Sequence, residues 1–295
     1  MSKQIVASPA TSPRERTQHL QVNGLRLFCR EWGRTDAPAL VLLHGLRGFS
    51  GTWRALAAAL CDRYRLIAYD QRGRGESDWD LRRNYYTDAY LSDLESVVDQ
   101  LGLQRFALLG HSMGGTTSYV YAARHPERLM ALVIEDIAPG SSTSGPGAQR
   151  IVAEMQTLPA SFASWAEARA YWERLRPSLN AAALEQRLLE SMRADAGGRI
   201  VWRYDAEGIR ATRIKPDASR SVDLWPAIER IKTPTLIIHG GASDFCPVSS
   251  VAAVCRRNSN IRAVSIAAAG HYVHDDAPRE FLTHVEGFLS PILRP

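Results

Sequence analysis

Gly110-His111-Ser112-Met113-Gly114-Gly115 directly follows the apolar run Arg105 to Gly110 and opens a helical stretch. A serine on so sharp a strand-to-helix turn needs small neighbours, because its backbone is crowded from both sides. Its hydroxyl then projects beyond the strand end, and the N–H groups at the helix start, notably that of Met113, face any negative charge that develops beside it. That is an arrangement for attack on a carbonyl. A serine hydroxyl needs a general base. His271, in Gly270-His271-Tyr272 after the last apolar run, comes late in the chain, where the order nucleophile, acid, histidine puts the base. A second N–H donor is expected from Leu46, in the turn Leu43-His44-Gly45-Leu46-Arg47-Gly48 after another apolar run. His44 is expected to brace that turn by hydrogen bonding rather than to react. Of the other histidines (His19, His111, His125, His239, His274 and His284), His274 lies one helical turn from His271 and reads as a surface or capping residue. The glycine spacing around Ser112 does not meet G-x-G-x-x-G, which excludes a dinucleotide site there.

The elements that must hold these residues are written as alternating patterns. Segments 20–22 and 25–29 flank Asn23-Gly24, a dipeptide suited to the positive φ of a tight turn, and predict an antiparallel hairpin. Apolar runs at 39–43, 65–70, 105–110, 129–136, 234–240 and 263–268 predict buried strands. Most are separated by amphipathic helical patterns. In 87–101, Leu91, Leu94, Val97, Val98 and Leu101 recur at helical spacing behind Thr87 or Asp88, either of which could cap the helix. Strands alternating with helices imply an α/β fold whose mostly parallel sheet is covered on both faces. The rhythm breaks after Asp136 in the turn-rich stretch 139–147 and resumes at Thr235. Between them, from Gln149 to about Pro226, the patterns read as helical (151–155, 165–175 and 181–192), and the region carries Trp165, Tyr171, Trp172, Trp202, Tyr204 and Trp225. The expected organisation is a disordered tail at 1–18, a core formed by 19–138 and 227–295, and a helical cap at 139–226. Its aromatic residues are expected mainly to pack, with a minority lining a pocket.

Bulk properties exclude several classes. The chain's 295 residues suit one α/β domain with an insertion, and 45% hydrophobic residues can cover a large core. The 36 basic and 31 acidic residues leave a charge of +5. Residues 1–40 hold six basic against three acidic, so three of the five excess charges sit there. No like-charge run or basic helix face accompanies them, so a solvated arginine-rich surface is expected and no nucleic-acid partner. Cys29, Cys61, Cys246 and Cys255 have no metal-ligand spacing and read as isolated thiols, which fits a reducing cytoplasm. The first residues lack an apolar stretch of signal-peptide length, and no run approaches the roughly 20 apolar residues of a membrane span. Neither a metal nor an organic cofactor is implied. Oligomeric state is not legible.

Taken with Tyr69-Asp70-Gln71-Arg72-Gly73-Arg74-Gly75-Glu76-Ser77, the stretches at His44, Ser112 and His271 resemble the capped α/β-hydrolase superfamily of serine esterases, over nearly the whole chain after residue 20. The resemblance implies that Asp70 and Arg72 brace a structural loop. Two aspartates stand at strand ends as candidates for the acid that orients His271: Asp136 and Asp244. Most members carry it in a pattern like G-x-x-D-x-x-x-P after the later strand. Laid on Gly240 to Pro247, that pattern puts Ser243 in the aspartate's place and Asp244 one step late. Asp136 has the family's alternative position, used by some esterases and by a hydrolase of an acetamidomethylene succinate. The resemblance thus implies Ser112, Asp136 and His271, with Asp244 the alternative acid. The expected reaction is hydrolysis of a carboxylic ester of a small molecule, the alternatives being an amide, lactone or carbon–carbon bond, or a small-molecule receptor without catalysis. Arg150, Arg169, Arg174 and Arg176 could favour an acidic substrate but read as solvated helix surface.

Overall fold

Runs that are apolar on both faces form the middle of one twisted sheet. The computed structural model describes residues 15–177 and 179–293. The chain enters through the hairpin β1 (Arg16–Val22) and β2 (Leu25–Trp32), turned by Asn23 and Gly24, both at positive φ. The strands β3 (Ala39–Leu43), β4 (Arg65–Tyr69), β5 (Phe106–His111) and β6 (Leu129–Glu135) follow, then a long insertion. The insertion holds three short strands, β7 (Ser161–Phe162), β8 (Met192–Ala194) and β9 (Ile200–Trp202). The main sheet is completed by β10 (Thr235–Gly240) and β11 (Ile261–Ile266), in the order β1-β2-β4-β3-β5-β6-β10-β11. Strand β2 runs antiparallel to both neighbours, and every pairing from β4 to β11 is parallel.

Side chains alternate across the sheet, so each buried run feeds two cores. In β3, Val41 and Leu43 join the layer formed with α2 (Thr87–Gln100), α3 (Met113–Arg124), α8 (Trp225–Arg230) and α9 (Val248–Arg257). Leu40 and Leu42 join the opposite layer with α1 (Arg54–Leu60) and α10 (Pro278–Leu289). Each fully buried aliphatic side chain contributes about 1.5–3 kcal/mol of burial energy, so the carboxyl ends of β3, β5, β6 and β10 form a stiff platform.

Three elements differ from expectation. The last strand begins two residues early, at Ile261, and leaves Ala267 and Ala268 in a turn; as an edge strand with exposed Arg262 and Ala263 it lacks the continuous apolar signal of its neighbours. Helix α2 is capped at Tyr86 with no side-chain cap, so Thr87 and Asp88 are its first residues rather than its cap. Of the tail expected at 1–18, residues 16–18 belong to β1, and residues 1–14 lie outside the described residues.

The insertion between β6 and β10 contains α4 (Pro146–Gln156), α5 (Trp165–Leu175), α6 (Ala181–Ser191) and α7 (Ala206–Ile214). It is not all helical: β7, β9 and β8 pair antiparallel as a small separate sheet. Strands of two or three residues carry no readable alternation, although Gly197-Gly198 marks the turn between β8 and β9. Phe162, Tyr171, Trp172, Trp202 and Tyr204 pack there in tilted and edge-to-face pairs, while Trp165 stays exposed and Trp225 packs beneath Arg257. The four cysteines are free thiols. No described helix is long and apolar enough to cross a membrane.

Candidate active site

The end of β5 delivers Ser112 onto the first turn of α3 with φ 53° and ψ −115°, a conformation that costs about 1–3 kcal/mol in a non-glycine residue. The surroundings enforce it: Ser112 N donates to the Glu135 carbonyl at 3.0 Å, and Thr116 N donates to the Ser112 carbonyl at 2.9 Å. Gly110 and Gly114 make the turn possible. A Cβ on Gly110 would sit 2.3 Å from Ser118 Oγ, and one on Gly114 would sit 2.5 Å from the Leu43 carbonyl oxygen.

Asp136 leaves the end of the neighbouring strand β6, also at positive φ (49°), and its backbone N–H donates to the Ile238 carbonyl at 2.9 Å. His271 comes from the turn after β11. Its Nε2 lies 3.0 Å from Ser112 Oγ and its Nδ1 lies 2.7 Å from Asp136 Oδ2. Ser112, His271 and Asp136 are all buried. Asp136 also accepts from Gly240 N at 2.9 Å and from Ser243 Oγ at 2.6 Å. Burial pushes this carboxyl up to about 7, opposed by the Ser243 and Gly240 hydrogen bonds. With three donors on one carboxylate, the ionised form is the one the geometry serves. Burial, and next the charge of Arg150, hold His271 well below the ordinary imidazole range, so its ring rests neutral. In that tautomer Nδ1–H donates to Asp136 and the Nε2 lone pair faces the serine hydroxyl.

Asp244 is not brought to His271. Its carboxylate is held by Arg150 through two bonds, Nε to Oδ2 at 2.7 Å and Nη2 to Oδ1 at 2.9 Å, and its side chain is 39% exposed. Ser243, the residue in the aspartate's place of the family pattern, spends its hydroxyl on Asp136 while accepting from Phe245 N at 3.1 Å. The sequence signal for Ser243 was that register slip.

Leu46 and Met113 line a cavity of about 330 Å³ together with Ser112. Among the described residues no acceptor engages either backbone N–H. His44 braces the turn: its Nδ1 faces the Gly45 carbonyl at 2.8 Å and its Nε2 accepts from Gln71 N at 3.0 Å, while burial depresses its basicity to about 3. Asp70 accepts from Ser50 N at 2.6 Å and Glu76 N at 2.9 Å, and Arg72 pairs with Asp93 at 2.6 Å and Asp80 at 2.8 Å.

His274 is a correction. It is buried, and its backbone N–H and Nδ1 meet Glu135 Oε1 at 2.9 and 2.7 Å. Burial alone would depress its basicity, but Glu135 and Asp275 outweigh it and hold the ring above its ordinary value. Helical spacing could not show Glu135, 139 residues away, waiting beneath it. His111, whose role the spacing does not show, has its Nε2 2.9 Å from the His271 carbonyl and steadies that turn. Arg176 is buried rather than solvated, stacked 3.7 Å over the Tyr272 ring and paired with Asp275 at 3.2 Å. Arg150 is bound to Asp244 and Glu154, Arg169 pairs with Glu185, and Arg174 lies over Tyr171. The expected arginine surface is thus partly interior. The aromatic rings lining the cavity are Tyr85, Tyr86, Tyr90 and Phe245, and none of the six expected in the insertion is among them.

Asp136, His239 and Cys246 place ligand atoms within 4.8 Å of one another. Both His239 nitrogens are already engaged, by Ser265 Oγ at 3.0 Å and the Cys246 carbonyl at 2.9 Å. Burial raises the Cys246 thiol far above its ordinary value, which keeps it protonated and a poor ligand. His239 and Cys246 are thus tied to each other, and Cys246 N donates at 3.3 Å to Ser243 Oγ, the hydroxyl that Asp136 accepts.

A parallel sheet with a strained serine at the end of its central strand, and a histidine and an aspartate from two further strand ends, has a counterpart among known families. A family model for the alpha/beta hydrolase fold matches residues 38–278. The chain belongs to that family. A Bacillus subtilis protein provisionally named 2-succinyl-6-hydroxy-2,4-cyclohexadiene-1-carboxylate synthase is 34% identical over 92% of this chain and 97% of its own. An esterase of Mycobacterium tuberculosis is 28% identical over 94% of this chain and 89% of its own. Among solved structures, that of E-2-(acetamidomethylene)succinate hydrolase superposes with a TM-score of 0.83 at 25% identity, covering 94% of this chain and 99% of its own. This alpha/beta hydrolase is therefore similar to enzymes that hydrolyse and to one named for a synthase step.

Proposed function

We propose that this alpha/beta hydrolase is a serine hydrolase that cleaves a carboxylic ester of a small molecule through an acyl-serine intermediate. The observation that carries the reading is the unbroken line from Ser112 Oγ through the His271 ring to Asp136, at 3.0 and 2.7 Å, opening into the 330 Å³ cavity. His271 Nε2 takes the hydroxyl proton as Oγ bonds to the carbonyl carbon. The electron pair displaced onto the carbonyl oxygen is stabilised by the N–H groups of Leu46 and Met113. The imidazolium, oriented by Asp136, then protonates the departing alkoxide. Water attacks the acyl-serine with His271 again as base, and the acid leaves as Ser112 regains its proton. Segment 139–226 is read as the cap, a reading supported by Ala148, Ile151, Val152 and Thr212, which line the cavity with Ser112.

A fluorophosphonate probe tests the nucleophile: it should label the native chain and not Ser112→Ala, whereas a folded native chain left unlabelled would refute the reading. Because one relative bears a synthase name, turnover matters too. With 4-nitrophenyl esters of graded acyl length, a burst of nitrophenol equal to one acyl group per chain is the expected signature.

A further inference from the structure

The cavity that holds Ser112 also holds two arginines, and they are in opposite situations. Arg220 is satisfied: it pairs with Asp88 at 2.6 Å and Asn84 Oδ1 at 2.6 Å, and stacks 4.1 Å over Tyr86. Arg213, on the last turn of α7, lines the same cavity and has no hydrogen bond or ion pair among the described residues. Burial acts most strongly against its charge, followed by the Tyr90 phenol, which favours it, the cation Arg74, which opposes it, and the Tyr86 phenol. Among the described residues Arg74 has no carboxylate partner either, being bound to the Leu46 and Arg72 carbonyls, at 3.2 and 2.8 Å, and to the Tyr90 hydroxyl. The acid at the rim, Asp217, is exposed and turned to Ser219, whose N and Oγ it accepts at 3.0 and 2.6 Å. A partly buried guanidinium that feels a second cation, with no carboxylate bound to it among the described residues, is an unfavourable arrangement that an anionic ligand would relieve. Its planar fork of donors matches a carboxylate. The rest of the lining, including Leu46, Ile137, Ile151, Val152 and Phe245, offers apolar contact for a short hydrocarbon link between that carboxylate and a carbonyl at Ser112.

We propose that Arg213 is a specificity-determining residue that receives a carboxylate on the substrate, so that this hydrolase prefers acidic esters over neutral ones of the same size. The inference rests on the serine-hydrolase reading, and binding separates the two. By calorimetry, glutarate should bind the native chain at least about tenfold more tightly than its uncharged analogue glutaramide, a hydrogen bond to a charged group being worth about 10- to 100-fold. Arg213→Met should abolish that preference, and Arg213→Lys should retain part of it. Turnover then locates the carboxylate. If it lies on the acid part, 4-nitrophenyl hydrogen glutarate should lose KM in Arg213→Met while 4-nitrophenyl pentanoate keeps both KM and kcat. If it lies on the alcohol part, 4-acetoxybenzoate should suffer relative to phenyl acetate. An Arg213→Met chain that melts as the native one does and binds glutarate equally well overturns the proposal, as does a native chain with no preference for glutarate. Loss of Ser112 labelling with glutarate binding intact would refute the hydrolase reading and leave the anion site standing.

Discussion

Asp136 and Asp244 stand at the ends of adjacent strand connections, carry the same functional group, and have opposite surroundings. Asp136 is wholly buried at the end of β6, at positive φ, with Gly240 N, Ser243 Oγ and His271 Nδ1 converging on it. Asp244 is 39% exposed and spends both oxygens on Arg150. The lesson is that a carboxylate becomes an orienting group through what immobilises it. Arg150 would compete with an imidazole for Asp244, whereas the neutral donors around Asp136 leave one lone pair directed at His271.

The sharpest way to break the comparison is Asp136→Asn. An amide at that position can present an N–H to Nδ1 and favour the wrong tautomer, so kcat should fall by about 10⁴ with KM little changed. Steady-state ester kinetics check this, and retention of more than a tenth of native kcat would remove Asp136 from the proposed machinery. Ser243→Ala should have an intermediate effect. It removes one of three donors to a buried carboxylate, and a hydrogen bond to a charged group contributes about 1.5–3 kcal/mol, so kcat should fall by about 10- to 100-fold. Melting temperature should drop as well, because Ser243 Oγ also accepts from Phe245 N and Cys246 N.

These contrasts show what was legible in the chain. The sheet was, because strands buried on both faces must be continuously apolar, and five of the six runs lie within one residue of the observed strands. So was the neighbourhood of Ser112, whose glycines are demanded by a local backbone conformation. Partners brought from afar were not. Glu135 beneath His274, Asp275 beside Arg176 and the small sheet of β7, β8 and β9 depend on long-range packing or on strands too short to show a period. Ser243 falls between these cases: the register slip was visible, but its meaning appeared only when its hydroxyl met Asp136 across 107 residues.

Asp244→Asn should have the smallest effect, and its direction discriminates most finely. If Asp244 oriented the base, the change would cost orders of magnitude. As a half-exposed partner of Arg150 it contributes about 0–1 kcal/mol to stability, so the melting temperature should barely move. Its charge nevertheless reaches His271, whose basicity it raises, while Arg150 lowers it. Converting Asp244 to Asn removes the anion and leaves Arg150 paired with Glu154 alone, so both changes lower the proton affinity of His271. The proposed base works when neutral, and kcat/KM is lost on the acid side as His271 takes up a proton. Its acid limb should therefore already lie below the ordinary imidazole value of about 6.5, and in Asp244→Asn it should move to still lower pH with the plateau near native. A limb that shifts upward, or a collapsed plateau, would mean that Asp244 does more for His271 than set the local field.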